Sequence, residues 1–177
     1  MTQLSRPSEV SRTFPARFDS LAAIGVFVTQ RAQVAGLGPR AVYAVQVAVD
    51  EACSNIIEHA YGGEGPADGA RPPDGPRPPD GPRPPDRPRP PTIKCTCRTK
   101  RDRLIIQLHD HGRPFDPAAV PKPDLQADLN ERHAGGLGVY FIQQLMDAVQ
   151  FESTPGQGNT LTLTKFRAPT TPMPGTP

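Results

Sequence analysis

The sequence predicts an α+β fold, a two-layer α/β sandwich in which helices cover one face of a mixed sheet. Two long stretches with helical spacing of apolar residues come first, and a third lies near residue 140. Between and after them, apolar and polar residues alternate as they do in half-buried strands. Separate runs of helices and strands of this kind are typical of α+β proteins.

The first half of the chain predicts a short strand at 10–15 and a helix at 16–35. A second helix begins with Pro39, a residue favoured in the first helical turn, and runs to about Tyr61. Its apolar residues follow one another at spacings of three and four, which predicts one buried face. These residues are Val42, Val45, Val49, Ala52 and Ile56.

The second half predicts two hairpins with a helix between them. A long connection at 114–133 is rich in proline and charged residues, which is typical of a lid over a site. The predicted strands are 92–99, 104–110, 149–153 and 160–166, and the predicted helix is 138–148.

Proline is the outlier of the composition, with 24 of 177 residues. A near-perfect repeat, RPPDGP-RPPDGP-RPPDRP-RPP, fills 71–91 within a Pro-rich insert at 62–91. Proline fixes φ and has no amide donor, so the repeat predicts an extended spacer. Two interpretations remain open, a tolerated loop expansion and a docking motif for a partner that recognises PxxP segments. We expect one domain at 10–167 interrupted by this insert, with disordered ends at 1–9 and 168–177.

The remaining composition excludes several classes of protein. A formal charge of +2 is too small to indicate the basic surface of a protein that binds nucleic acids directly. No apolar run is as long as a membrane-spanning helix, which needs about 18 residues. The polar N-terminus lacks the apolar core of a signal peptide. We therefore expect a cytoplasmic protein. The three cysteines, Cys53, Cys95 and Cys97, lack the spacing of a disulfide or zinc framework and are interpreted as packing residues.

The first candidate site block is Glu51-x-x-x-Asn55 on the second predicted helix. Residues four apart are neighbours on one helix face, here beside the apolar stripe. An amide oxygen suits Mg²⁺, and a carboxylate suits a general base for phosphoryl transfer. The alternative is a solvated helix edge.

The second block, Asp110-His111-Gly112, ends a predicted strand. Alternation places Asp110 on the same side as Ile106 and Leu108, where a carboxylate needs hydrogen-bond donors such as an adenine amino group. The alternative is an ordinary strand-end turn.

The third block, Gly135-Gly136-Leu137-Gly138, directly precedes a helix. Unobstructed amides at a helix N-terminus bind anions, so this block predicts a phosphate site. It matches neither the P-loop nor the dinucleotide-binding pattern. The alternative is a hinge or a glycine cap.

Four segments taken together resemble the successive motifs of the GHKL ATP-binding superfamily. They are VDEACSNIIEHAY, DHGRPFDP, GGLGVYFIQQLMD and GNTLTLTK. More narrowly, they resemble its anti-sigma factor serine/threonine kinase branch, over roughly residues 10–167 without the insert.

The resemblance implies a Bergerat-type fold that holds Mg-ATP under a mobile lid. It implies Glu51 as the catalytic base, Asn55 as the Mg²⁺ ligand and Asp110 as the residue that holds adenine. The other nucleotide-binding residues that it implies are Gly112 beside the adenine, Gly135, Gly136, Leu137 and Gly138 at the phosphates, and Thr160 near the adenine side.

The resemblance also implies partners. Members of this branch bind a sigma factor, phosphorylate a STAS-type antagonist on serine or threonine, and are commonly homodimers. Two other functions are considered: an ATP-binding module that sequesters a partner without kinase activity, and a histidine kinase fragment. The latter needs an upstream phosphoacceptor helix with a histidine, but the first histidine of the chain is His59.

Overall fold

The computed structural model describes residues 8–63, 90–114 and 137–168. No helix in these ranges is long and apolar enough to cross a membrane. The elements in chain order are β1 (Ser8–Pro15), α1 (Leu21–Val34), α2 (Pro39–Asn55) with a π-helical turn at Ile56–Ala60, β2 (Thr92–Thr99), β3 (Arg103–Asp110), α3 (Leu137–Leu145), β4 (Ala148–Thr154) and β5 (Gly158–Phe166).

The five strands form one sheet in the order β1-β2-β3-β5-β4. Every neighbouring pair runs antiparallel, so the α+β sandwich is confirmed, but the expected mixed sheet is wrong for the described strands. Two of these pairs, β2–β3 and β4–β5, are hairpins, and a tight turn joins strands only in antiparallel orientation.

The core lies between the three helices and one face of the sheet. Alternate residues of β3 and β5 are buried there, and the residues between them are only partly covered. The predicted stripe of α2 is confirmed for Val42, Val45, Val49 and Ala52, which are buried. Its last member, Ile56, is only partly buried, because the π-helical turn begins there and Ile57 takes the fully buried position. The largest fully buried side chains of the sheet are Ile93, Leu104, Ile106, Leu108 and Leu163.

The predicted helices at 16–35 and 138–148 are shorter in the structure, where α1 begins at Leu21 and α3 ends at Leu145. The strand boundaries lie within one residue of the prediction except at the starts of β1 and β5. β1 begins at Ser8, two residues inside the segment 1–9 that was expected to be disordered. β5 begins at Gly158, two residues before the predicted start at Thr160. The turn before it is therefore shorter than predicted, with Gln157 N donating to Thr154 O at 3.0 Å and Gly156 at a φ of 75°.

The three cysteines are buried in the core as free thiols, which agrees with their interpretation as packing residues. Burial raises the pKa of the Cys53 thiol. A hydrogen bond with Cys97, together with burial, raises the pKa of the Cys95 thiol.

Of the Pro-rich insert at 62–91, the structure describes residues 62–63 and 90–91, and residues 64–89 lie outside the described ranges. The end of the insert is fixed, because Ala16 N donates to Pro91 O at 3.0 Å. The predicted lid falls almost wholly outside the described residues, as does the C-terminal tail after Ala168.

Candidate functional site

A cleft with an empty volume of about 540 Å³ lies between α2, α3 and the adjoining ends of β3 and β5. This volume includes part of the open solvent at the mouth of the cleft, and the lining is mostly apolar with a few convergent polar groups, as in small-molecule sites. The polar lining residues are Asn55, His59, Asp110, Arg113 and Asn159. The apolar lining residues are Ala52, Ile56, Ala60, Pro114, Val139, Ile142, Phe151 and Leu161.

The start of α3 is packed against the predicted base and metal ligand on α2. A Cβ added to Gly138 would lie 2.8 Å from Glu51 Cδ and 2.9 Å from Asn55 Nδ2, and closer still to Glu51 Oε1. Real Cβ atoms do not show such contacts, so any side chain at this position would displace the ends of Glu51 and Asn55. The structure thus brings the first and third sequence blocks together. Asn55 lines the cleft, and Glu51 lies beside Gly138 at its edge.

The second block lies at the other end of the cleft. Asp110 is 3% exposed and lies on the helix-covered face of β3, as its alternation with Leu108 predicts. Its Oδ1 accepts hydrogen bonds from Gly112 N at 2.8 Å and from Asn159 Nδ2 at 3.0 Å. A buried carboxylate is costly without donors, and the protein supplies two of them.

The loop after Asp110 is held against the end of α2. A Cβ added to Gly112 would lie 2.6 Å from Ala60 Cβ and 2.7 Å from Ala60 O. Arg113 N donates to that same carbonyl at 2.9 Å. Because the last carbonyls of a helix have no partner within the helix, this contact also caps the π-helical turn. Turns of this type are frequent at functional sites.

Tyr61 is a second link between this helix end and the sheet. Its hydroxyl accepts a hydrogen bond from His111 N at 3.0 Å and donates to Thr92 O at 3.2 Å. Burial raises the pKa of the phenol. The neutral phenol can make both hydrogen bonds at once, so it holds β2, the loop after β3 and α2 together.

The structure does not bring Thr160 into the cleft, so its expected position near the adenine side is corrected. Thr160 lies opposite His109 on the uncovered face of the sheet, and its Oγ1 is 3.0 Å from His109 Nδ1. Asn159, one residue earlier, points to the covered face and lines the cleft. Successive residues of a strand alternate between faces, so these two residues cannot both reach the site.

The glycine block is described only in part. Leu137 and Gly138 form the first residues of α3, whereas Gly135 and Gly136 lie outside the described residues. The predicted role of these two glycines at the phosphates stays a prediction.

Three polar residues of the cleft were not predicted as ligand-facing groups: Arg113, Asn159 and His59. The signal for Asn159 was present, because it alternates with the buried Leu161 and Leu163. A similar signal existed for His59, which lies four residues after Asn55 on the same helix row. Arg113 carried no signal, since its position follows from the hydrogen bond of its amide to Ala60 O.

Comparison with known proteins agrees with this geometry. Residues 14–165 match the family model of the histidine kinase-like ATPase domain. The chain is 24% identical over 168 residues to the serine-protein kinase RsbW of Halalkalibacterium halodurans, covering 93% of this chain and 86% of that protein. It is 26% identical over 127 residues to the serine/threonine-protein kinase BtrW of Bordetella bronchiseptica, covering 72% of each.

A third relative, the serine-protein kinase RsbW of Bacillus pumilus, is 30% identical over 126 residues, which cover 69% of this chain and 63% of that protein. The chain therefore belongs to the histidine kinase-like ATPase domain family, and its resemblance to the anti-sigma factor serine/threonine kinase branch of the GHKL superfamily is confirmed.

Proposed function

We propose that this protein is a serine/threonine protein kinase that binds Mg-ATP in the cleft, sequesters a sigma factor and phosphorylates a STAS-type antagonist of that factor. The observation that carries the proposal is the packing of Gly138 at the start of α3 against Glu51 and Asn55. A candidate base, a candidate metal ligand and a helix N-terminus suited to phosphate meet there.

The ends of the cleft suit the two ends of ATP. Asp110 provides an acceptor for the amino group of adenine at one end. The apolar walls, with Ile56, Ile142 and Leu161, suit the faces of the purine. The N-terminus of α3, beside Asn55, carries the partial positive charge that favours phosphate.

The residues at the α3 end fit a magnesium ion. Mg²⁺ prefers oxygen ligands, keeps several waters, and is usually held by one or two protein oxygens together with substrate phosphates. Asn55, which lines the cleft beside the start of α3, would supply an amide oxygen, and Glu51 remains available as the base. The bound ion would neutralise charge on the phosphates of ATP.

In the proposed reaction, a serine or threonine hydroxyl of the antagonist attacks the γ-phosphorus of ATP. The bond from that phosphorus to the β–γ bridging oxygen breaks, and ADP leaves with the bonding electrons. Glu51 accepts the hydroxyl proton as the new phosphoester forms. Gly138 limits the freedom of the Glu51 carboxylate because α3 packs directly against it.

The test compares Glu51→Gln with the wild-type protein in Mg-ATP binding and in transfer of labelled phosphate to the antagonist. Asp50→Asn is the matched control, since Asp50 is an exposed carboxylate on the neighbouring position of the same helix. We expect Glu51→Gln to bind Mg-ATP and to lose transfer, by about 10²-fold or more, while Asp50→Asn keeps both.

The outcome separates the two candidate functions. If the wild-type protein binds Mg-ATP and releases its partner but transfers no phosphate, the protein is an ATP-binding sequestering module and the kinase proposal is rejected. The antagonist and the sigma factor are found by co-purification. The proposal includes a cytoplasmic homodimer, and sedimentation equilibrium measures the oligomeric state.

A further inference from the structure

The amide of Asn159 has a fixed orientation. The Nδ2 end of the amide lies 3.0 Å from Asp110 Oδ1 and 3.0 Å from Arg113 O. It is also 3.4 Å from Gly112 O. A flip of the amide would place an oxygen against a carboxylate and two carbonyls, so these acceptors set which end faces the site. Ser153 Oγ then donates to Asn159 Oδ1 at 2.8 Å and holds the other end of the amide in place.

This orientation makes the two oxygens of Asp110 unequal. A carboxylate oxygen has two lone pairs, and those of Oδ1 receive Gly112 N at 2.8 Å and Asn159 Nδ2 at 3.0 Å. Both hydrogen bonds that the described residues donate to this side chain end on Oδ1. Asp110 lines the cleft, and among the described residues no donor to its Oδ2 is observed, so Oδ2 is the oxygen that can accept a hydrogen bond from a ligand there.

A single available oxygen distinguishes between purines. The Watson–Crick edge of guanine carries two adjacent donors, N1–H and the 2-amino group. A fork of two donors binds a carboxylate best when each oxygen receives one of them, as in bidentate arginine pairs. The corresponding edge of adenine carries one donor, the 6-amino group, beside an acceptor nitrogen, and needs only one oxygen.

We propose that Asn159, oriented by Ser153, is a specificity-determining residue that restricts Asp110 to one ligand-accepting oxygen and so favours adenine over guanine nucleotides. The inference rests on the proposed function, in which the base lies at Asp110. Asp110 is 3% and Asn159 9% exposed, so water has little access to replace the bond between them. A guanine that needed Oδ1 would replace the 3.0 Å hydrogen bond of Asn159 to Asp110 and leave that amide hydrogen only the longer, 3.4 Å contact with Gly112 O, which is costly at a buried site.

The experiment measures the affinities for ADP and GDP by calorimetry in the wild-type protein, Asn159→Ala and Ser153→Ala. The diphosphates are used because they probe the base without the transfer step. Ser11→Ala is the matched control, since its hydroxyl is also 2.8 Å from its partner, Thr96, but lies between β1 and β2. Circular dichroism and thermal melting show whether each variant is folded.

We expect the ratio of ADP to GDP affinity to fall by about tenfold in Asn159→Ala, the size of change for one hydrogen bond to a charged group. Ser153→Ala should lower the ratio in the same direction but less, because the amide then loses only one of its two orienting contacts. Ser11→Ala should leave the ratio unchanged.

An equal loss of ADP and GDP affinity, with the ratio within about twofold of wild type, would mean that Asn159 only supports the fold, and the inference fails. If Asn159→Ala does not fold, the ratio in Ser153→Ala decides by the same criterion. A wild-type protein that binds ADP and GDP equally rejects this inference alone. A wild-type protein that binds neither rejects the proposed function as well.

Discussion

Gly138→Ala tests the contact on which the proposed function depends. The added methyl would lie 2.8 Å from Glu51 Cδ and 2.9 Å from Asn55 Nδ2. Carbon atoms pack best at about 3.5–4.0 Å, so the space is short by about 1 Å. The groups in the way are the ends of flexible side chains, and these can move without any change in the backbone.

The expected effect is therefore large on function and small on stability. Overpacking costs about 1–3 kcal/mol, and replacing a helical glycine with alanine returns up to about 1 kcal/mol. We expect the free energy of unfolding to change by no more than about 2 kcal/mol. A displacement of about 1 Å at a reacting group can cost about 10²-fold in rate, so phosphate transfer should fall by about that factor.

The assay combines urea denaturation, calorimetry with Mg-ATP and phosphate transfer to the antagonist. Gly25→Ala is the control, because Gly25 is also helical, and its added Cβ meets only Gln46 Nε2, at 3.9 Å. This control should gain stability and keep ATP affinity and transfer. If Gly138→Ala keeps wild-type affinity and transfer while remaining folded, close packing of α3 against Glu51 has no functional role and the reasoning is refuted.

Three further predictions concern the structure around the site. Burial raises the pKa of the Tyr61 phenol above its ordinary 10.0. The folded state thus favours the neutral phenol, and the resulting stability is complete below about pH 10 and is lost as pH rises through the raised pKa. Tyr61→Phe should therefore reduce the fall in unfolding free energy above pH 10, as measured by urea denaturation at several pH values; an unchanged slope would contradict this. Because burial and hydrogen bonding raise the pKa of the Cys53 and Cys95 thiols, both should resist iodoacetamide until the protein unfolds. Mass spectrometry of the alkylated protein would detect any native-state modification, which would overturn that expectation. The Nε of Arg167 donates to the terminal carbonyl of α1 at Ala35 at 3.0 Å, so Arg167→Ala should cost about 1–2 kcal/mol of stability. Its Mg-ATP affinity in calorimetry should not change, and a loss of affinity would show that the α1 end is coupled to the cleft.

Periodicity predicted the parts of the fold that depend on a continuous apolar face. The stripe of α2 is buried as expected, because spacings of three and four permit only one side of a helix to face the sheet. The same rule in strands placed Asp110 on the covered face. Glu51 and Gly138 are 87 positions apart in the sequence. Their contact is set by the tertiary fold, and no local sequence pattern predicts it.

The late predicted start of β5 has a tertiary cause. The turn before β5 was predicted to include Gly158 and Asn159, so Asn159 was left out of the strand. Gly158 adopts a φ of 98°, and a Cβ there would meet the main-chain oxygen of Asp110 and, at 2.8 Å, His111 Nδ1. Such a close approach of two main chains is set by tertiary contacts and carries no hydrophobic signal. The strand therefore starts earlier than alternation of apolar residues alone indicates.

One helix positions both ends of the cleft. Asn55 ends α2 and lines the cleft near α3, and five residues later the carbonyl of Ala60 receives Arg113 N. The π-helical turn lies between these two contacts, so a change in its geometry would move the loop after β3 relative to Asn55. The turn is closed by Gly63 N, which belongs to the first residues of the Pro-rich insert and donates to Ile57 O at 2.9 Å. Since this helix end is fixed before the repeat at 71–91 begins, we expect that the length of the repeat can vary without changing the spacing between the two ends of the cleft.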